Sequence, residues 1–151
     1  MTARPTRDFR FLKLLLRLQV FMLRRGMMGQ ASESLMVITT TGRKTGKQHS
    51  TPIGYLRDGD RMIAINPRGR SNWYKNVLAN PAVTLNIKGR DIQARGEHLT
   101  DEAEIDRLFE LYRTTKPDVV RRLFGVPVDA PEEALTQARD SRRFVRFQSV
   151  D

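Results

Sequence analysis

Leu35-Met36-Val37-Ile38-Thr39-Thr40-Thr41-Gly42-Arg43-Lys44-Thr45-Gly46 is a β-branched run that feeds directly into a glycine-bracketed loop. The run reads as a strand, and the loop holds Arg43, Lys44 and, just beyond, Lys47. A strand that ends this way delivers cations to one place. Gly42 and Gly46 permit positive φ and a close backbone approach, so N–H groups join the side-chain charge facing an anion. A phosphate or carboxylate is the natural guest, and a solvated basic turn is the competing reading. The loop is not a P-loop: Gly42 to Gly46 is one residue short of that spacing, and Gln48 stands where Ser or Thr would hold magnesium.

Downstream, Ser50-Thr51-Pro52-Ile53-Gly54-Tyr55-Leu56 reads as one strand. Pro52 removes a ladder donor and Gly54 a side chain, which marks an edge or a backbone against which something lies. Asp58-Gly59-Asp60 is a hairpin turn into the strand Arg61 to Ile65. The break Asn66-Pro67-Arg68-Gly69-Arg70-Ser71 repeats the chemistry of the first loop, so two basic loops could converge on one polyanion. Asn72 is placed to cap a short helix, Trp73 to Ala79, which Asn80-Pro81 terminates. Trp73 and Tyr74 read as core anchors or as a wall for a planar cofactor. Val83 to Ile87 and Ile92 to Leu99 form a second hairpin, on which His98 reads as structural.

Thr100 is the expected N-cap of a helix that buries Ile105, Leu108, Phe109 and Tyr112. Pro117 opens a helix closed by Gly125, Pro131 opens a polar third one, and Phe144 to Gln148 is a final strand. At the other end, residues 8–25 are apolar around most of a helix, with Arg10, Lys13, Arg17 and Arg24 in one stripe. Lys13 and Arg17 interrupt the run near its middle, so it does not span a membrane, and no small-residue cleavage site follows Leu23. Three readings stay open: a helix on the core, a helix in an anionic membrane interface, or a nucleic-acid arm. No nucleic acid is expected, because no aromatic platform is interleaved with the charges.

The net charge of +10 is concentrated in residues 1–25, which carry seven cations against Asp8 alone. Zero cysteines and two histidines argue against a disulfide scaffold and against metal catalysis, and point to a reducing, cytoplasmic compartment, with the inner membrane face as a peripheral station. A chain of 151 residues fits one core, divided here into residues 1–30, a basic amphipathic helix and linker, and residues 31–151, the binding domain. Six short strands with helices inserted between them predict a mainly β fold with α, an antiparallel barrel with peripheral helices rather than a parallel βαβ sheet.

The run Thr39 to Gly46, then Thr51-Pro52 and Tyr55, the Asp58-Gly59 hairpin and above all Trp73-Tyr74-Lys75-Asn76-Val77-Leu78-Ala79-Asn80-Pro81 resemble the deazaflavin-dependent nitroreductase family. The resemblance runs from about Leu35 to Leu99 in order. It implies a six-stranded split β-barrel, like those of pyridoxamine-phosphate oxidases and flavin reductases, holding coenzyme F-420 (8-hydroxy-5-deazaflavin), with FMN as the alternative cofactor. By position, Arg43 and Lys44 with the Thr45-Gly46-Lys47 backbone would meet the phosphate and oligoglutamate tail, Pro52, Ile53 and Gly54 would line the ring, and Asn66, Pro67 and Arg68 would complete the pocket beside Trp73. The family often has an arginine where His49 stands, and a longer loop before its Trp-Tyr pair. The implied reaction is hydride transfer to a small electron-poor acceptor such as a quinone, enone or nitro compound. Tyr55, Tyr74 and Tyr112 are candidate donors to the substrate, and no catalytic acid is assigned. A homodimer and, through residues 8–25, an anionic membrane surface are the further partners expected. The rival from another class is a non-catalytic basic protein of membrane surfaces or nucleic acid.

Overall fold

The structure is a computed structural model, and it describes residues 6–24, 34–66 and 70–150, with side chains of the first helix described for 13–22. The elements run α1 (Thr6–Arg24), β1 (Leu35–Thr41), β2 (Gln48–Gly54), β3 (Leu56–Asp58), β4 (Arg61–Asn66), α2 (Asn72–Ala79), β5 (Ala82–Ile87), β6 (Arg90–His98), α3 (Glu102–Thr115), α4 (Pro117–Phe124), α5 (Glu132–Asp140) and β7 (Arg143–Ser149). The fold is mainly β with α, and every strand pairing is antiparallel.

The strand order is β2-β1-β5-β6-β7-β4-β3, which puts β2 and β3 at opposite edges of one sheet. Those two strands are separated in sequence only by Tyr55. A single residue cannot cross a flat seven-stranded sheet, since adjacent strands lie about 4.8 Å apart. The sheet therefore curls until Tyr55 alone can bridge its two edges, as in a split barrel. The strand count is seven rather than the expected six because the segment Ser50 to Leu56 is two strands. Gly54 is the last partner of β1, opposite Leu35, and Leu56 is the first partner of β4, opposite Ile63. The residue between them changes sheet edges, and its N–H donates to Ser34 O at 3.0 Å. Pro52 sits opposite Val37 on an edge strand, where a missing N–H disturbs no second ladder.

Alternation along the strands feeds two cores. Met62 and Ala64 of β4 join Met36, Ile38, Leu85, Val145 and Phe147 inside the curl with Trp73, Tyr74 and Val77 of α2. Ile63 and Ile65 face the other way, onto Leu108, Phe109 and Tyr112 of α3, Val120 and Phe124 of α4, and Leu135 of α5. With both faces covered, β4 reads as a continuous apolar run rather than an alternating one. Helix α2 lies so close to β6 that a Cβ at Gly96 would sit 2.6 Å from Val77 Cγ1 and 3.0 Å from Phe147 Cε1. Two helix starts fall one residue from expectation: Ser71 rather than Asn72 precedes α2, and Asp101 rather than Thr100 precedes α3. Neither makes a side-chain cap bond.

Helix α3 is tied to the strands by a charge network. Arg107 donates to Asp58 Oδ2 of β3 at 2.7 Å and to Glu104 Oε1 at 2.6 Å, while Arg146 of β7 reaches Glu104 and Glu97. Hydrogen bonds from Arg107 hold the Asp58 and Glu104 carboxyls below the ordinary carboxylate range. A depressed folded pKa adds stability above the unfolded value, and that stability is lost as pH falls through the folded value. Arg107 is half exposed, so the contribution is small, about 1 kcal/mol or less. Arg107→Gln should melt below wild type at neutral pH, with the gap in Tm closing in acid. Thermal scans across pH 7 to 3 check this; a gap that persists unchanged in acid would remove Arg107 from the pH-dependent stability.

Candidate functional site

The loop joining β1 to β2 is closed by its own backbone: Gly42 N donates to Lys47 O at 2.7 Å and Gly46 N to Gly42 O at 2.9 Å. Gly46 has φ of 71°, the left-handed turn that lets the chain reverse. Gly42 is needed for close approach instead, since a Cβ there would lie 2.9 Å from His49 Nε2 and 3.0 Å from Thr45 Oγ1. Thr45 Oγ1 also accepts from Lys47 N at 3.2 Å. The result is a tight turn that exposes Arg43, Lys44 and Lys47.

What fixes Arg43 is a residue from the other side of the curl. Asn76 of α2 is 3% exposed, and its Oδ1 accepts from Arg43 Nη1 at 2.8 Å and from Arg43 N at 3.3 Å. Its Nδ2 donates to Thr40 Oγ1 at 3.1 Å. One amide thus bolts α2 to the end of β1 and orients the guanidinium, leaving other N–H donors of Arg43 for a ligand. At the neighbouring strand position Thr39 Oγ1 and Ser50 Oγ lie 2.7 Å apart and join β1 to β2.

Above this loop is a cleft of about 800 Å³. Arg43, Lys44, Thr45 and His49 line one part of it, and Pro52, Ile53 and Trp73 line another. Ser71 and Asn72 at the start of α2 border it as well, whereas Arg70 does not line it. None of the described residues lining the cleft is acidic. A cation-rich end beside an apolar wall suits an amphipathic anion whose charged part is a phosphate or carboxylate and whose body is a flat ring.

Two lining residues come from α1: Lys13 and Leu16. The helix packs against β2, β1 and β5 and so borders the cleft instead of standing apart from it. Spacing alone puts the cations of residues 8–25 in one stripe of a helix; the structure brings Lys13 of that stripe to the cavity of Arg43. The side chains of Arg10 and Arg24 lie outside the described residues.

The other expected site residues divide. Gly46 and Lys47 belong to the anion loop but not to the cleft wall. Gly54 borders a second cavity, with Tyr55 and Tyr112. Asn66 is buried at the end of β4, with Ser71 Oγ 3.5 Å from its Oδ1. Pro67 and Arg68 lie outside the described residues. Tyr74 is buried, its hydroxyl 2.9 Å from His98 Nδ1, so His98 and Tyr74 satisfy each other. The Tyr112 hydroxyl donates to Ile63 O at 3.2 Å, and burial pushes its pKa up. Sequence reasoning does not assign Asn76, Lys13 or the Thr40 hydroxyl to the site. A buried asparagine on a short helix looks like any other, although its place in the Trp73 to Pro81 run carried the family signal.

A family model described as F420H(2)-dependent quinone reductase matches residues 15–129. Among curated proteins, the F420H(2)-dependent quinone reductase of Mycobacterium tuberculosis is 39% identical over 56 residues, 34% of this chain and 38% of the relative. The chain thus spans well under half the length of the curated relatives it matches. An F420-H2 dependent reductase of solved structure, FDR-A, is 18% identical with a TM-score of 0.54, covering 76% of this chain and 94% of that one. The heme storage protein HutZ of Vibrio cholerae superposes with a TM-score of 0.56 at 9% identity, over 90% of this chain and 91% of that one. The likeness to HutZ is one of fold alone, whereas the family model covers most of the chain, the anion loop and α2 included: the chain belongs to the F420H(2)-dependent quinone reductase family.

Proposed function

We propose that the protein binds reduced coenzyme F-420 in the cleft and passes a hydride to a small electron-poor acceptor, a quinone first, with enones and nitro compounds as related acceptors. The observation that carries this reading is the unbroken asymmetry of the cleft, three cations and no described carboxylate beside Pro52, Ile53 and Trp73. In this reading Arg43 and Lys44, with the Thr45-Gly46-Lys47 backbone, hold the anionic tail, and His49 sits beside them. Pro52 and Ile53 support the ring along β2, with Trp73 beside them. When bound, the reduced deazaflavin supplies the hydride. The chain's own work is to clamp the tail, hold one ring face to the apolar wall and exclude water, which needs no catalytic acid. FMN has a much shorter anionic part and leaves the cationic end underused; a protein that turns over acceptors with FMN but not with F-420 would reverse the assignment. Oxidation of reduced F-420, followed by its fluorescence and dependent on added quinone, is the functional test. No oxidation with any quinone, enone or nitro acceptor would overturn the proposal.

Lys13 places α1 in this function. Lys13→Gln should weaken F-420 binding about three- to tenfold, the range for one charge-assisted contact discounted for exposure. Unchanged affinity in a fluorescence titration would return α1 to a purely structural role.

The opposite side of α1 supports a second part of the proposal, a peripheral station on the inner face of the cytoplasmic membrane. Leu14 is 63% exposed, Leu18 53% and Phe21 52%, with Arg17 exposed beside them. No described helix is long and apolar enough to cross a membrane, so this face would lie in the interface. In that arrangement residues 1–30 are an appended helix and linker and residues 31–151 the binding domain. Sedimentation with vesicles should rise with anionic lipid content and fall for Arg17→Gln. Protein that ignores vesicles and runs as a homodimer by light scattering would assign the face to a second copy instead.

A further inference from the structure

At the far end of β2 the molecule has a second cavity of about 480 Å³, within the size range of small-molecule sites. Ile53 lines the cleft and Gly54, the next residue along β2, lines the cavity. Its walls include Tyr55, Ile65, Tyr112 and Leu123, and its charged groups are Lys116 and Arg122. No carboxylate is among the described residues that line it.

Lys116 is the one-residue joint between α3 and α4. Its Nζ donates to Tyr55 O at 2.8 Å and stands 5.7 Å from the centre of the Tyr55 ring. It makes no ion pair among the described residues. An ammonium has three donors, so two remain after the bond to Tyr55 O. Burial lowers its pKa, as expected for a cation removed from water without a counter-charge. Arg122, one turn into α4 and lining the same cavity, also makes no ion pair among the described residues. Two cations without acids, set in an aromatic and aliphatic wall, are the complement of a ring that carries an acidic group.

We propose that this second cavity binds an aromatic carboxylate or a ring of similar acidity, with the ring between Tyr55, Ile65 and Leu123 and the anionic oxygen on Lys116 and Arg122. That such a ligand serves as the hydride acceptor rests on the function proposed above; the binding itself does not.

The probe is 2-naphthoate, compared with its neutral methyl ester, by isothermal titration on the full chain without cofactor. The acid should bind at least about tenfold tighter than the ester, and Lys116→Met should remove most of that preference while changing ester affinity by less than about threefold. Arg122→Gln, an exposed position in α4, should narrow the preference in the same direction and carries the comparison if Lys116→Met does not fold. The double substitution Arg43→Ala and Lys44→Ala should leave naphthoate binding intact. Equal affinity for acid and ester, no binding of either, or loss of binding in the Arg43 and Lys44 variant with retention in Lys116→Met would each overturn the proposal. None of these results bears on whether F-420 occupies the cleft, so the two readings fail separately.

Discussion

Replacing Arg43 and Lys44 together by alanine should reduce F-420 affinity by well over about tenfold while leaving the fold intact. Charge-assisted hydrogen bonds are worth about 1.5 to 3 kcal/mol each, and both cations line the cleft. The backbone of the loop is held by Gly42 N to Lys47 O and Gly46 N to Gly42 O, neither of which uses these side chains. Circular dichroism should therefore stay near wild type, and Tm should fall only slightly, because Asn76 Oδ1 loses Arg43 Nη1 but keeps Arg43 N as a partner. The residual affinity should be less sensitive to salt than that of wild type, because Lys13 and the loop N–H groups would be left to hold the tail. An affinity unchanged by the double substitution would make the loop a solvated basic turn.

Asn76 should show a separation of stability from binding. Asn76→Ala leaves the Thr40 hydroxyl, on a residue 2% exposed, without its donor and frees the Arg43 guanidinium. A buried polar group left unpaired costs about 1–3 kcal/mol, several degrees of Tm in a domain of this size. Asn76→Asp behaves differently. The carboxylate still accepts from Arg43, and the Thr40 hydroxyl can rotate to donate to it, so the bolt survives. Its negative charge now neutralises Arg43 at 2.8 Å and competes with the ligand for that guanidinium. Asn76→Asp should accordingly keep more of its Tm than the alanine variant yet bind F-420 at least about tenfold more weakly. Paired melting curves and fluorescence titrations check both halves. If the aspartate variant binds as well as wild type, Arg43 does not meet the anion.

The elements that local chemistry dictates were legible in the sequence. The β-branched run into Gly42, the hairpin turn at Asp58-Gly59-Asp60, the existence of the second hairpin, whose turn is two residues shorter than the expected Lys88 to Asp91, and the i, i+3, i+4 pattern of α3 each have a local cause. The division of Ser50 to Leu56 into β2 and β3 was not, because it depends on which partner each residue meets. Gly54 pairs with a strand before it in sequence and Leu56 with one after it, and no pattern within seven residues records that switch. The anion loop was legible as chemistry, but its support was not, since Asn76 is 33 residues from Arg43. Helix α1 shows a third kind of limit. Its charge stripe follows from spacing, whereas the face that meets the cleft depends on how the helix rests on β1, β2 and β5, and its large apolar residues stay exposed. The tyrosines show the same dependence on tertiary context: Tyr74 and Tyr112 spend their hydroxyls on His98 and Ile63 O, partners that lie on strands distant in sequence.

The most direct test of the central claim is a fluorescence titration of the purified full chain with F-420, run beside FMN and beside a deazaflavin lacking the anionic tail. Saturable binding of F-420, tighter than both comparators and weakened by salt, is the expected result. Tighter binding of FMN, or equal binding of the tail-less deazaflavin, would contradict the assignment of the Arg43 and Lys44 cleft to the tail of F-420.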